Sequence, residues 1–345
     1  MTEAILNSMS EGVIALDALL NVIYVNIRFC SIFGIDYNNA SSEKKLGNTT
    51  FLSFCRSAEM EEAAKQVVFQ GKPIEFDMKR YASGVEQHLH VFAAPLDMPE
   101  AGNGVVIVVG DQSRLARLEQ VRKDFAANVS HELRTPIQVI KGFAENILDC
   151  PANDREQIER FAGIILKNVS TMENLTSDLL FLVNLEDEKS PRPPMEEAAI
   201  APLIDEAVGM VQIAAGKKDI EINIFCPPDL KAKIYSSLVM EALVNLLDNG
   251  IKYSSAGSRI KVYAYAEKEW LIIEVKDKGM GIPAEHIGRL FERFYRVDRA
   301  RSRGAGGTGL GLAIVRHIAL LHNGIAEAES HSGEGSVFRL KLPLN

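Results

Sequence analysis

From Ser113 onward the sequence keeps a helical period for about 75 residues, broken once at Cys150-Pro151-Ala152-Asn153. In its second half Ile158, Ile165, Met172 and Leu179 recur every seven residues, with Phe161, Leu175 and Leu182 on adjoining positions. That recurrence is a coiled-coil seam. The Pro and Asn at the break mark the turn of an antiparallel hairpin, and Asp154 is the expected N-cap of the second helix. A two-helix hairpin cannot bury apolar stripes on both arms, so pairing with a second copy into a four-helix bundle is the economical solution. Asn168 interrupts the apolar series, which would fix register at some cost in stability.

The first arm contains FAANVSHELRTPIQVIKGF, Phe125 to Phe143. At roughly 100° per residue, Leu118, Phe125, Val129, Leu133 and Ile140 share one side and His131 projects from the opposite one, toward water. Glu132 stands beside it as a carboxylate able to orient an imidazole, and Thr135 follows about one turn along. Pro136 removes the bond to the Glu132 carbonyl and is expected to bend the helix there. A lone exposed histidine is usually only solvated, and a bundle of this kind can serve oligomerisation alone. The run Ser130 to Pro136, SHELRTP, with Lys141-Gly142-Phe143 after it, resembles the phosphoacceptor box of sensor histidine kinases, most closely those of the phosphate-sensing PhoR type. The resemblance implies that His131 takes a phosphoryl group from ATP and passes it to an aspartate of a response regulator.

At 345 residues the chain has room for two or three domains, and 47% hydrophobic with 24% charged residues is ordinary for a globular protein. A net charge of −8 argues against direct nucleic-acid binding, which needs a basic face. Cys30, Cys55, Cys150 and Cys226 form no C-x-x-C pair, so neither a zinc site nor a disulfide framework is suggested and a reducing cytoplasm fits. The longest apolar run, Val105 to Val109, falls far short of the roughly 20 residues of a membrane helix. No membrane span is expected in this chain, although kinases of the resembled type often carry membrane helices upstream.

Residues 1–112 mix short strands and helices. Val13 to Leu16 and Val22 to Val25 read as a hairpin around Asp17 to Asn21, and His88 to Phe92 and Val105 to Val109 as later strands. A helix over Ile27 to Phe33 is expected to end at Gly34. Ser8 to Asp17, followed by Tyr24-Val25-Asn26, resembles the opening of a PAS domain. Asn26-Ile27-Arg28-Phe29-Cys30 is only faintly similar to the flavin-linked cysteine motif of light-sensing PAS domains, which places Cys directly after Asn; Cys30 is read as a buried structural thiol. His88 and His90 alternate on one strand and are read as surface polar residues, with no metal expected.

Residues 186–197, EDEKSPRPPMEE, read as a linker before a third segment. There, a helix over Leu238 to Lys252 carries Glu241, Asn245, Asn249 and Lys252 along one face, an oxygen-rich stripe suited to hydrated Mg²⁺ and phosphate, although such stripes are usually solvated. Leu271 to Val275 reads as a strand running into Asp277-Lys278-Gly279-Met280-Gly281-Ile282-Pro283, where a carboxylate can accept the exocyclic amine of adenine and glycines admit the base. Phe291 to Arg296 follows, then Gly304-Ala305-Gly306-Gly307-Thr308-Gly309-Leu310-Gly311, opening a helix through Leu321. Glycine-rich backbone at a helix start cradles phosphate, but no Lys completes a P-loop and no strand precedes it. In this order the boxes resemble the N, G1, F and G2 boxes of the histidine-kinase ATP-binding domain. The resemblance implies Asn245 and Asn249 at Mg²⁺, Lys252 and Arg296 near the phosphates, Tyr253 beside the nucleotide and Asp277 on adenine. It also implies nucleotide contacts from Gly279, Gly281, Phe291, Gly306, Gly307, Thr308, Gly309, Leu310 and Gly311. Tyr235-Ser236 stands where the family often has an acidic residue, so Ser236 or Ser237 is expected to cap the helix, and Gln138 stands where Thr is common.

The fold expected is a multidomain α+β chain: a PAS-like α/β sensor over 1–112, a helical hairpin over 113–188 forming a dimeric four-helix bundle, a linker over 189–197, and an α/β sandwich of the histidine-kinase ATPase type over 198–345. The function expected is a protein-histidine kinase with ATP and Mg²⁺, a homodimer acting on a cognate response regulator in the cytoplasm, using Glu132 to orient His131 and Thr135 to orient a dephosphorylating water. An ATP-driven conformational clamp or a non-catalytic regulator-binding scaffold are the alternatives.

Overall fold

The computed structural model describes residues 2–37, 49–82, 84–98, 102–151, 154–187, 189–297 and 307–344. The chain divides into two compact units, Met1–Asp124 and Phe125–Asn345.

In the first unit, α1 (Thr2–Ser8), β1 (Gly12–Leu16), β2 (Val22–Val25), α2 (Ile27–Phe33), α3 (Phe51–Cys55) and α4 (Ala58–Gln70) precede β3 (Ile74–Ala82), β4 (Val85–Met98) and β5 (Gly102–Asp111). The described strands form an antiparallel sheet in the order β2-β1-β5-β4-β3. Every strand and the helix read from β-branched runs and periodicity appear. The β1–β2 hairpin closes on Asp17, whose Oδ1 accepts the N–H groups of Leu19 at 2.9 Å and Asn21 at 2.7 Å. Helix α2 stops at Gly34, where φ of 67° takes the backbone left-handed. One face of the sheet supplies Ile14, Leu16, Leu89, Val91, Ile107 and Val109 to a core shared with Phe29, Phe33, Phe51 and Met60.

Asn26 organises this unit from within. It is wholly buried, and its Oδ1 accepts the N–H groups of Val13 and Phe29, both at 2.8 Å, while Nδ2 donates to the carbonyls of Leu6 at 2.8 Å and Glu11 at 2.9 Å. One amide thereby caps α2, pins β1 and holds α1. Asn26→Ala strands two donors and two acceptors, and at about 1 to 3 kcal/mol for a buried group left unsatisfied the expected cost is about 3 kcal/mol or more. A thermal melt of the full chain, with protease sensitivity of residues 2–111 followed in parallel, checks this; an unchanged melt removes Asn26 from that role.

Cys30 is buried, and burial with Asp36 nearby pushes its thiol up to about 11. His90 lies between Glu75 at 3.0 Å and Asp77 at 2.7 Å, and His88 is 3.2 Å from Glu86. The hydrogen bond that His90 donates to Asp77 is the main cause holding the His90 pKa above its ordinary value.

The boundary between the units falls inside α5 (Ser113–Asp149); α6 (Arg155–Glu186) is its antiparallel partner, capped by Asp154 through the Gln157 N–H at 3.2 Å. Phe143 and Phe161 bring the arms together with ring centroids 5.3 Å apart. Of the seam residues, Leu175 and Leu182 are buried, whereas Ile158, Phe161, Ile165, Met172 and Leu179 are half-buried in the single chain. Between the arms lies a groove of about 560 Å³ lined chiefly by Ile137, Ile140, Val169 and Met172. Asn168 turns its Nδ2 to the Ile164 carbonyl of its own helix at 2.8 Å. Pro136 is inside α5 and buried.

The rest of the second unit contains β6 (Glu196–Ala199), α7 (Ile200–Lys217), β7 (Glu221–Phe225), β8 (Lys231–Ile234), α8 (Ser236–Tyr253), β9 (Arg259–Glu267), β10 (Trp270–Lys276), α9 (Ala284–Ile287), α10 (Gly311–Leu321), β11 (Ile325–His331) and β12 (Gly335–Pro343). The larger sheet runs β11-β12-β10-β9-β7, antiparallel except for the parallel β7–β9 pair, and β6 pairs with β8 beside it. Apolar faces of α7 (Ile200, Ile204), α8 (Leu243, Leu247) and α10 (Ile314, Ile318) share one core with Ile260, Leu271, Ile273 and Leu340 of the sheet. This is the two-layer α/β sandwich expected.

Two local expectations are corrected. The linker ends earlier than residue 197, because Glu196 and Glu197 pair with Ile234 and Lys233 as strand β6; Glu186, at its other end, is still helical. A charged pair has no apolar period to betray a strand, and only its neighbour's edge makes it one. Neither Ser236 nor Ser237 caps α8: the N-cap is Tyr235, and Ser236 Oγ donates instead to Glu196 at 3.3 Å. The Tyr235 N–H donates to Nε2 of the buried His322 at 3.0 Å, whose Nδ1 bonds the Ile318 carbonyl at 2.7 Å, and burial holds the His322 pKa below its ordinary value.

Candidate active site

His131 stands exposed on α5, its side chain 64% accessible, while Phe125, Val129 and Leu133 of the same helix pack against the core of the sandwich. Phe125, Val129 and Leu133 are found on the face assigned from periodicity, opposite His131, whereas Leu118, assigned to the same face, is 59% exposed. His131 Nδ1 lies 3.9 Å from Glu132 Oε1, near enough for charge to act and too far for a hydrogen bond. Thr135 donates its hydroxyl to the His131 carbonyl at 3.4 Å.

The second cluster gathers around α8. Asn245 Nδ2 donates to the Glu241 carbonyl at 2.9 Å and to Glu241 Oε1 at 3.0 Å, which aims its Oδ1 the other way. A Cβ built on Gly311 would stand 2.5 Å from that Oδ1, so the glycine run and the amide stripe meet where any side chain would push Asn245 aside. Asn249 is half-buried one turn on, Lys252 pairs with Asp248, and Tyr253 is 40% exposed with its hydroxyl near Gly307. Burial raises the pKa of Glu241 above the ordinary glutamate range.

Asp277 follows directly on β10 and is 4% exposed. Its Oδ1 accepts the N–H groups of Gly279 at 2.7 Å and Ser336 at 3.2 Å, leaving Oδ2 to accept from a ligand. Burial raises its pKa, against the pull of those two bonds. Gly281 has φ of 70°, and a Cβ there would fall 1.9 Å from the His331 carbonyl oxygen, so a side chain is excluded on both counts. Phe291 is half-buried against the core. Gly309 carries φ of 73° and accepts the Phe294 N–H at 2.9 Å, tying the glycine run to the preceding segment; Leu310 is fully buried beneath it. Gly304, Ala305 and Gly306 lie outside the described residues.

Three charged residues missed in the sequence complete this region. Asp178 of α6 accepts the Thr308 hydroxyl at 2.7 Å, and its pKa is raised chiefly by burial. Glu186 pairs with Arg293, whose guanidinium lies over Phe125 at 5.5 Å. Lys218 reaches the end of α8. Each is far in sequence from what it touches, so no local spacing announces them. No hydrogen bond or ion pair joins His131 to the nucleotide-side residues among those described.

Residues 235–345 match the family described as histidine kinase-, DNA gyrase B-, and HSP90-like ATPase, residues 121–188 the His Kinase A (phospho-acceptor) domain, and residues 1–69 a PAS domain. The sensor-like histidine kinase SenX3 of Mycobacterium tuberculosis is 35% identical over 352 residues, a match spanning 99% of this chain and 80% of that protein. The chain belongs to the sensor histidine kinases. The phosphate regulon sensor protein PhoR of Pseudomonas aeruginosa is 37% identical over 236 residues, covering 68% of this kinase and 52% of that protein. In fold, the kinase is similar to histidine kinase ThkA as solved in complex with the response regulator protein TrrA, with a TM-score of 0.51 and 21% identity over 100% of this chain and 99% of that one.

As a protein-histidine kinase it binds ATP, and the residues present fit that ligand. Nε and Nη2 of Arg296 are buried with no partner among the described residues, a cationic donor set able to take an anion. Asp277 offers a buried acceptor, and Gly250, Gly279 and Gly335 leave room around it. Among the described residues, no helix is long and apolar enough to cross a membrane.

Proposed function

We propose that this kinase transfers the γ-phosphoryl group of ATP to His131 and then to an aspartate of a cognate response regulator, acting as a homodimer in the cytoplasm. The observation that carries the reading is the pairing of an exposed histidine having a carboxylate at 3.9 Å with a separate cluster around α8, in which Asn245 meets Gly311 and the buried Asp277 stands beside Gly250 and Gly279. Asp277 Oδ2 receives the adenine amine, with Gly279 and Gly281 giving the base room. Phe291 backs this wall. Lys252 exchanges Asp248 for phosphate oxygens, Arg296 meets the same anion, and Tyr253 flanks the nucleotide. Backbone of Gly307 to Gly311, including Thr308 and Leu310, lines the phosphate side. Mg²⁺, held through Asn245 and Asn249, would neutralise phosphate charge. Glu132 orients the imidazole so that its far nitrogen attacks in line; alignment and charge neutralisation are what a loose transition state demands.

The open groove between α5 and α6 and the half-buried seam support the bundle of two copies. The domain limits proposed are sensor 1–112, hairpin 113–188 and ATP-binding domain 198–345, the last extended back to Glu196 by β6. Incubation with γ-labelled ATP, with and without Mg²⁺, tests the reading: Mg²⁺-dependent label passing to a regulator supports it, and absence of any label refutes it.

Thr135 serves the reverse duty of orienting water toward the phosphoaspartate. Its hydroxyl spends only a long bond on its own helix, so Thr135→Ala is expected to keep autophosphorylation within about twofold and slow regulator dephosphorylation about tenfold or more. Parallel time courses decide it; equal loss of both activities assigns Thr135 to helix geometry beside Pro136 instead.

A further inference from the structure

The last turn of α8 holds Asn249, Lys252 and Tyr253, and a helix end leaves carbonyls without partners. The Ser254 N–H satisfies Gly250 at 3.1 Å. The next two are satisfied from outside the helix: Lys218 Nζ donates to the Ile251 and Lys252 carbonyls, both at 2.8 Å, and to the Ser254 carbonyl at 3.3 Å. An ammonium has three donors, and all are used on one helix terminus. The lysine's own backbone is fixed at the end of α7, where its N–H donates to the Ala215 carbonyl at 3.1 Å and its carbonyl accepts the Gly257 N–H at 3.0 Å. Its positive charge also meets the negative end of the α8 dipole, roughly half an elementary charge, at the turn proposed to face a polyanion.

We propose that Lys218 is a positioning residue for the phosphate half of the nucleotide site, acting through the α8 backbone to hold Asn249, Lys252 and Tyr253 in register. The proposal rests on the nucleotide assignment made above. The adenine half has an anchor of its own away from the lysine: Asp277 Oδ1 accepts the N–H of Ser336 on β12 as well as that of Gly279, and only Gly279, bridged to Ser254, touches the α8 end. Loss of the lysine grip therefore loosens the phosphate half far more than the adenine half, which keeps its Ser336 bond on the sheet. A merely structural lysine would weaken both halves together or neither.

The test uses the full chain with Lys218→Met, Lys218→Gln and Lys218→Arg, measuring Mg-ADP affinity by calorimetry, adenosine affinity by NMR titration, and the thermal melt. Lys218→Met is expected to weaken Mg-ADP binding about tenfold while adenosine binding changes less than about twofold, and Lys218→Arg, which keeps cationic donors, to recover most of the loss. An equal fall for both ligands, or no fall for either, overturns the proposal. So does loss of a cooperative melt in both Lys218→Met and Lys218→Gln, which would make Lys218 a folding residue. Failure of the parent protein to bind either ligand would refute the nucleotide assignment itself, a result separate from the comparison among variants.

Discussion

His131→Gln is expected to abolish the acid-labile, base-stable phosphoryl group that the parent acquires from Mg-ATP, with no residual label above background. Glutamine keeps size and polarity but has no imidazole nitrogen to attack phosphorus. His131 projects from the face of α5 opposite the packed Phe125, Val129 and Leu133. An exposed substitution of that kind changes stability by about 0.5 kcal/mol or less, so the lost label cannot be ascribed to unfolding. The measurement is label retained after acid and base treatment, beside a melt of both proteins. Full labelling of the variant would move the acceptor elsewhere.

Asp277→Asn is expected to weaken nucleotide binding about 100-fold while leaving the fold intact. Both protein bonds to Asp277 end on Oδ1, which an asparagine carbonyl can replace; its NH₂ must then occupy the Oδ2 position and present a donor to the adenine amine. Two donors face each other and binding is lost. Stability should not fall, because burial raises the Asp277 pKa above its unfolded value. A carboxylate shifted upward makes the native state less stable as pH rises between the unfolded and folded values, and the neutral amide escapes that cost. The same shift gives a pH signature in the parent: nucleotide affinity weakens as pH falls through the raised Asp277 titration, beginning above the ordinary aspartate range. Calorimetry across pH on parent and variant reads both effects; an unchanged affinity in the variant would contradict the role of Asp277.

Much of the chain was legible because its signals are local. Gly34 after an apolar helix and Asp154 at the start of α6 each declare an end through hydrogen bonds made within a few residues. The 3.6-residue and two-residue periods gave the faces, so His131 could be set opposite Phe125 and strands β1, β2, β4 and β5 could be found. Glycines at 279 and 281 mark places where any side chain collides with backbone, and that constraint is written in the sequence as residue identity.

What periodicity could not supply is contact between residues remote in the chain. Glu196 and Glu197 form a strand because β8 lies beside them, and Tyr235 begins α8 because His322, 87 positions later, accepts its N–H. Asp178 meets Thr308 across 130 positions, and Lys218 finds the carbonyls of α8 across 33 and 34. By itself the sequence determined which residues are chemically able to accept phosphate, bind adenine or admit a polyanion, since those capacities belong to side-chain type and short spacing. The tertiary structure alone decided which buried groups are satisfied and by whom, because desolvated donors, acceptors and charges must be paired by whatever the folded chain brings within about 3 Å, and that pairing has no sequence period.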